Sequence, residues 1–518
     1  MQANDPGYDL CLLPDASDAV GRLRRAIANS EQIAVYGDFD VDGITATAVL
    51  IEGIAGLGGQ VMPYIPDRFT EGYGVNSAAI EALAKRGVTL IITADCGTSS
   101  VKEIELGRRL DIDTIIIDHH SVPPQLPPAA AIVNPKRIDA RYPENELSSG
   151  GLALRVMQLL YESIHRTFDA AKCLDLVALS TVCDMAPLRG ENRWLVREGL
   201  RALSRAGRTG IRALFEASGC DPAQVTAETI GYVLGPRLNA AGRLAHGKLA
   251  LDLLLERDEA KAREMALQLC DLNSRRQKET EAALELARDL VAALPGDLPL
   301  IFVGHESIPA GIVGLVAGRL MEEHHKPAVV YERGEETSRA SCRSIPEFDI
   351  TGALRNAAPL MVRFGGHRAA AGFTVENGNL DPLRESLLIQ AQTELAGVDL
   401  APVIEIDAAI PLGRVNGELM RELTAMAPFG VGNPEPVFLS RGLEVRDVRV
   451  MGEDGKHLRL QLRDGRATWP AVAFGFGGNE ITEGDRLDVV YTFSADRSGD
   501  GALQLRVLDF APSLAIEP

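Results

Sequence analysis

The first third of the chain alternates short apolar runs with longer stretches of helical character. Ile33–Tyr36, Val88–Thr93 and Thr114–Ile117 (IAVY, VTLIIT, TIII) are apolar runs rather than alternations, the texture of strands covered on both faces. Gln60–Ile65 reads as a further strand. Ile44–Ile54, Ala78–Lys85 and Val101–Leu110 fall between the strands as helices. This alternation predicts an α/β domain built on a parallel sheet.

Beyond it the pattern changes twice. Gly150–Ile164 and Ala171–Val182 read as packed helices, followed by a loop, LGPRLNAAGRL. Lys248–Leu294 contains no Gly or Pro and is dense in Ala, Leu, Glu and Arg. As one helix it would run about 70 Å and connect two domains. Leu298–Val303, a helix over Gly311–Met321, and Pro327–Tyr331 predict a second, smaller α/β domain, continuing through Asp349–Leu360 and GGHRAAAGF. From about Pro402 come LEVRDVRV, HLRLQLRD, TWPAVAFGF, LDVVYTFS and LQLRVLDF, divided by the turn clusters GEDGK, EGD and RSGDG. Five short strands in this spacing fit an OB-like β-barrel, with a small sandwich as the alternative. The expected divisions are 1–195, 196–293, 294–398 and 399–518.

Length agrees, since 518 residues exceed one compact core and call for three or four domains. A hydrophobic share of 46% and a charged share of 24% belong to an ordinary soluble protein. No uncharged apolar stretch is long enough to span a bilayer. The opening MQANDPGYDLCLLPDAS has no basic region followed by an apolar run, so no signal peptide is expected, and the first motif begins early. Seven scattered cysteines without a CxxC pair fit free thiols in a reducing cytoplasm. The net charge of −19 repels polyphosphate at long range. Either the substrate is small, which composition alone favours, or positive charge and metals are concentrated in a local groove.

The chemistry begins at GDFDVDG, where Asp38, Asp40 and Asp42 follow the first apolar strand. Alternate residues of an extended segment point the same way, so the three carboxylates converge and need cations to coexist. A plain turn, with Asp42-Gly43 capping the next helix, would account for one aspartate but not three. VTLIIT leads to Ala94-Asp95-Cys96-Gly97 and TIII to Asp118-His119-His120. Sites in open parallel sheets form beyond the carboxyl ends of strands, so these residues meet at one edge. Alone, the histidines would be a surface pair; so placed, carboxylates with imidazole suit manganese or a similar ion. Cys96 reads as a small packing residue rather than a soft ligand.

GDFDVDG, ADCG, DHH at 118–120 and TVCDMAPL together resemble the four motifs of the DHH phosphoesterases. That resemblance implies two divalent metal ions, manganese first and magnesium second. Asp38, Asp40 and Asp95 would hold one ion; Asp42, Asp95, His119 and Asp184 would hold the other. His120 would contact the scissile phosphate and Asp118 would orient its neighbours. Without the family, Asp184 is an ordinary helix-end residue. GGHRAAAGF at 365–373 is similar to the motif of the DHH-associated domain. Gly365 and Gly366 would let the backbone approach a phosphate, with His367 and Arg368 as donors.

IPDRFTEGYGVN at 65–76, LGPRLNAAGRL at 234–244, SCRSIPEFDI at 341–350 and PFGVGNPEPVF at 428–438 resemble the RecJ branch of that superfamily. HESIPAG at 305–311 keeps His305 but departs from the branch's usual tryptophan-histidine-proline-glycine segment. The resemblance implies that Arg68, Arg237, Ser341 and Arg343 bind the 5′ phosphate and its neighbours, although any single arginine more often forms a surface salt bridge. In the barrel, Arg446, Arg449, Lys456, Arg459, Arg463 and Arg466 interleave with Trp469, Phe474 and Phe476. The basic groups are expected to meet DNA, while Phe474 and Phe476 are expected in the core. The leading expectation is a single-stranded-DNA exonuclease of 5′ to 3′ polarity in repair and recombination, working beside a helicase and a single-strand-binding protein. A phosphodiesterase for short oligonucleotides or cyclic dinucleotides is second, and a catalytically silent DNA-binding adaptor third.

Overall fold

The strands of the first third form where the apolar runs put them. The computed structural model describes residues 5–68, 70–72, 74–452, 455–495 and 503–513. Phe69, Tyr73, two residues of GEDGK and the RSGDG turn lie outside them. The chain divides into two compact units, one of Gly7–Ala186 with Leu195–Pro402, the other comprising Pro187–Trp194 and the chain from Val403 onward.

After α1 (Ala16–Ala28), the larger unit lays down β1 (Gln32–Gly37), α2 (Val41–Ala55), β2 (Gln60–Tyr64), α3 (Ser77–Lys85), β3 (Val88–Ala94), α4 (Val101–Arg109), β4 (Asp113–Ile117) and β5 (Ala131–Val133). The strands pair in the order β2-β1-β3-β4-β5, all parallel. Nearly every side chain of β1, β3 and β4 is buried, as two-sided cover requires. Almost all of α2 is buried too, packed by α5 (Ser149–Glu162) and α6 (Leu174–Cys183).

A helical layer follows, α7 (Gly190–Leu203), α8 (Thr209–Ser218) and a short α9 (Ala227–Thr229). LGPRLNAAGRL is not a loop. A π turn at Ile230–Leu234 runs from α9 into α10 (Gly235–Leu244), with Pro236 in the first turn, where its missing N–H costs nothing. Nor is Lys248–Leu294 one helix. It breaks after α11 (Lys248–Leu255), and α12 (Glu259–Ala292) restarts with Asp258 accepting from Lys261 N at 3.0 Å. An N-cap carboxylate competes with the helix behind it and favours the one ahead. The 34 residues of α12 reach about 51 Å. Its first half buries Ala262, Ala266 and Leu269, and its second half buries Ala283, Leu284 and Ala287 in the core of the next sheet.

That sheet contains β6 (Ile301–His305), β7 (Ala328–Arg333), β8 (Thr337–Arg343), β9 (Met361–His367) and β10 (Ala370–Glu376) in the order β6-β7-β8-β10-β9. Only β6–β7 is parallel. It packs with α13 (Val313–His324), α14 (Ile350–Asn356) and α15 (Leu380–Glu394).

In the smaller unit, β11 (Ala408–Ala409) and α16 (Gly417–Met426) precede β12 (Phe438–Met451), β13 (His457–Asp464), β14 (Ala467–Phe474), β15 (Arg486–Ala495) and β16 (Leu503–Pro512). These five long strands close into a barrel through a β12–β15 pairing. Val445, Leu458, Leu460, Leu462, Val489, Tyr491 and Leu505 fill it. Arg189 Nε donates to Gly432 O at 2.6 Å, tying 187–194 to the GVGNPEP turn. No described helix is long and apolar enough to cross a membrane.

Candidate active site

Three strands of the first sheet end alike. Asp38 N donates to Ala94 O at 3.1 Å, Asp95 N to Ile117 O at 3.0 Å and Asp118 N to Val133 O at 3.1 Å. Each ladder thus runs one residue past its strand and fixes an aspartate at the sheet's carboxyl edge.

The three carboxylates of GDFDVDG do converge, but not along an extended segment. Asp38 ends the strand, Asp40 is the N-cap of α2 and accepts from Gly43 N at 3.1 Å, and Asp42 lies in the first helical turn. The cap is Asp40, not Asp42, because the helix starts one residue after it. Gly43 permits this turn, since a Cβ there would lie 2.5 Å from Asp38 N. Asp42 instead takes Ser149 N at 2.8 Å, Gly150 N at 2.9 Å and Ser180 Oγ at 2.5 Å. The N-terminus of α5 therefore aims it. Asp95 adopts a left-handed φ of 66° and accepts from Ser149 Oγ at 3.0 Å.

Three ligand-like triads result, Asp38–Asp40–Asp95, Asp42–His119–Asp184 and Asp95–His119–His120, each with donor atoms within 4.8 Å of one another. His119 Nε2 lies 3.2 Å from Asp95 Oδ1 and 3.6 Å from both Asp42 Oδ2 and Asp184 Oδ2. Burial, then the charge of Asp40, pushes the Asp38 carboxyl well up, and burial with Asp42 does the same to Asp95. Asp184 is pushed up to about 9 by burial and by Asp42 and Asp40. His119 is held below its usual range by burial. Like charges this close are tolerable only with cations between them. The buried His119 Nε2 and Asp38 Oδ1 have no hydrogen-bond partner within the protein, as atoms kept for a metal would not. This mix of carboxylates and imidazole fits divalent ions such as manganese.

Asp118 belongs to none of the triads and gathers its own donors, Thr98 N at 3.0 Å, His119 N at 2.8 Å and His120 Nδ1 at 2.7 Å. Burial works against its charge, yet these bonds hold its carboxyl below the usual range. Burial likewise opposes a charge on His120, but Asp118 outweighs it and raises the imidazole to about 9. His120 also stacks on His367 at 5.9 Å, so GGHRAAAGF meets DHH across the two sheets. Cys96 is buried, with Sγ 3.8 Å from Tyr36 O, and packs as expected.

On the far side of Asp38 and Asp40 lies a cluster of arginines. Arg68 covers the Phe39 ring at 5.0 Å. Arg343 Nη1 donates to Ser341 Oγ at 3.0 Å, and a Cβ at Gly314, in the first turn of α13, would lie 3.2 Å from Arg343 Nη2. Arg243 Nη1 reaches Gly311 O at 3.4 Å. Burial first, then Arg68, Arg276 and Arg343, push Arg243 down to about 10. Arg237 turns its guanidinium back to Val233 O at 2.8 Å. Arg243 and Arg276 were not singled out by the sequence. No local signal marks Arg243; its place follows from the packing of α10 on α2, where Asn239 accepts from Val41 N at 3.2 Å.

The glycines of GGHRAAAGF serve their own hairpin. Gly366 has φ 147°, and a Cβ there would lie 2.4 Å from Ala370 O on the partner strand. Gly365 has open space around its Cα. Arg368 Nη2 donates to Pro346 O at 3.0 Å, and His305 Nδ1 accepts from Ser307 N at 3.1 Å.

Comparison with known proteins agrees with this geometry. Residues 32–181 match the DHH family N-terminal domain, 290–393 the DHHA1 domain and 406–509 the RecJ OB domain. The chain is 33% identical over 538 residues to the single-stranded-DNA-specific exonuclease RecJ of Dickeya dadantii, covering 98% of this chain and 90% of that one. The chain belongs to the RecJ family. It is also 35% identical to RecJ of Bacillus subtilis over 93% of its own length, but spans only 61% of that protein. The crystal structure of RecJ with Mn²⁺ from Thermus thermophilus superposes with a TM-score of 0.86 at 29% identity, covering 100% of this chain and 74% of that one.

The RecJ OB match falls on the barrel. Arg446 and Arg463 both pair with Glu444, at 3.1 and 2.5 Å, and Arg449 pairs with Asp447 at 2.8 Å, so part of the basic run is neutralised locally. Phe476 packs against the barrel core, 5.2 Å from Phe510. Phe474 does not; it is 54% exposed, because it ends its strand edge-on to His457 instead of turning inward.

Proposed function

We propose that this chain is a metal-dependent exonuclease that hydrolyses single-stranded DNA from its 5′ end and releases mononucleotides. The observation that carries the reading is the pairing of an Asp95-centred ligand cluster with buried arginines immediately beyond Asp38 and Asp40.

Asp38, Asp40 and Asp95 would hold one divalent ion, and Asp42, Asp95, His119 and Asp184 the other, with manganese the first candidate. Such ions, when bound, activate water for attack and stabilise the charge that develops on the phosphoryl group. Asp118 holds His120 through Nδ1 and so orients the ring, and His120 would contact an oxygen of the scissile phosphate. Arg68, Arg243 and Arg343, with Ser341, bind the next phosphate toward the 5′ end. Burial lowers Arg68 and Arg243, and neighbouring arginines add to it, so a buried cluster of positive charge favours the doubly charged terminal phosphate over an internal diester. The barrel extends the grip on the strand through basic groups and exposed rings.

The test uses single strands labelled at the 5′ or 3′ end, a circular single strand and a cyclic dinucleotide, each with manganese. Release of the 5′ label as a mononucleotide, with the circle intact, is expected. Cleavage of the circle, or preference for the cyclic dinucleotide, would overturn the reading.

A further inference from the structure

The metal ligands and the arginines leave one feature of the site unused. The turn at Ile230–Leu234 is the one π element among the described residues. Such turns give up hydrogen-bond geometry and recur at functional sites. This one holds Tyr232 80% exposed, although an aromatic ring usually finds cover.

The same turn lies against the end of α6. A Cβ at Gly231 would lie 3.9 Å from Val182 Cγ1, and one at Gly235 2.5 Å from Cys183 Sγ. Asp184 follows directly, then Met185, left-handed at φ 59° and 68% exposed. From this end α10 crosses the site. Asn239 holds Val41, a Cβ at Gly242 would lie 2.6 Å from Phe39 O, and Arg243 joins the arginines. The helix thus runs from the Asp184 side of the ligand cluster to the arginine side. From Tyr232 to Arg243 the path is about 16 Å, a few nucleotides even at the ~3.4 Å rise of a stacked strand.

A strand whose 5′ phosphate lies among the arginines, and whose scissile phosphate lies at the carboxylates, continues past Asp184. We propose that Tyr232 is a stacking platform for a nucleobase on the 3′ side of the scissile phosphate, with Met185 along the same exit. The inference rests on the reading of the chain as a 5′-end exonuclease. An aromatic face suits the task because every base has a π-face, so an enzyme that must accept each base in turn loses nothing by sequence. Stacking here also holds the strand taut across the ligands between turnovers.

The test uses the full chain with manganese and 5′-phosphorylated oligonucleotides whose first linkage is a non-hydrolysable methylene phosphonate. A 2-aminopurine is moved along the strand position by position. Wild type is expected to quench it at one position a few nucleotides from the 5′ end. Tyr232→Ala should lose that quench, while Tyr232→Phe and Tyr232→Trp keep it. On cleavable strands Tyr232→Ala should raise KM about 5- to 150-fold, with a smaller change in kcat. Wild-type quench and KM in Tyr232→Ala would overturn the platform. Because the quench is read without turnover, it decides the platform even if the chain fails to hydrolyse DNA, which would overturn only the proposed function.

Discussion

His120 and His367 stack with ring centroids 5.9 Å apart and planes 16° from parallel, although they come from different sheets and lie far apart in sequence. His120 is held on its other side by Asp118. Burial and then the neighbouring His120 lower the imidazole of His367. One ring is therefore aimed by two partners, and the second sheet is coupled to the chemistry of the first. His367→Ala should lower kcat/KM about 2- to 10-fold, the worth of one aromatic ring pair at roughly 0.5–1.5 kcal/mol. His367→Phe, which keeps the stack, should recover part of that loss. Equal activity of His367→Ala and wild type on a single strand would remove His367 from the site.

Asp95 belongs to two of the three triads. Asp95→Asn should abolish turnover in manganese. Asp118→Asn, which removes no ligand from the triads but disturbs the residue that orients His120, should lose about 10- to 100-fold. The two variants part company in the metal-free protein. Removing one of several buried like charges should leave the melting temperature of Asp95→Asn equal to or above that of wild type, while the rise produced by manganese shrinks. A large drop in metal-free stability would instead make Asp95 a structural residue.

Arg243 shares its surroundings with Arg68, Arg276 and Arg343. Arg243→Ala should raise KM for a 5′-phosphorylated strand about 10- to 100-fold, the equivalent of one charge-assisted hydrogen bond of roughly 1.5–3 kcal/mol. A 5′-hydroxyl strand should be affected far less. Competition between the two strands in one reaction measures the ratio, and equal losses on both would place Arg243 outside the 5′-phosphate site.

Arg22 ties the first helix to the sheet, 2.7 Å from Glu31 and 2.6 Å from Asp113. The hydrogen bond from Arg22, despite burial, holds the Glu31 carboxyl below its ordinary value. A depressed carboxylate contributes stability that is present above its unfolded pKa and lost as pH falls through the folded one. Wild type should therefore unfold at higher denaturant than Glu31→Gln at pH 7, with the gap closing below roughly pH 4. A gap that stays constant down to pH 3 would assign the difference to packing.

The sequence by itself determined the elements whose reasons are local. Runs such as TIII and VTLIIT are too apolar to be anything but covered strands, and GDFDVDG, ADCG and DHH stand at their carboxyl ends whatever the rest of the chain does. The carboxylates of these three motifs and two histidines at one sheet edge are legible as a metal site because strand order and parallel direction leave them nowhere else to go. The tertiary structure decided what depends on neighbours remote in sequence. Asp258 divides a stretch free of Gly and Pro into two helices, and Phe474 is exposed because its strand ends there. Arg237 turns back to Val233 O while Arg243 lies among the other arginines, a difference set by how α10 packs. The stack of His120 on His367 exists only once the second sheet has folded back on the first. A single sequence records spacing along the chain, whereas these contacts depend on angles between elements that only packing sets.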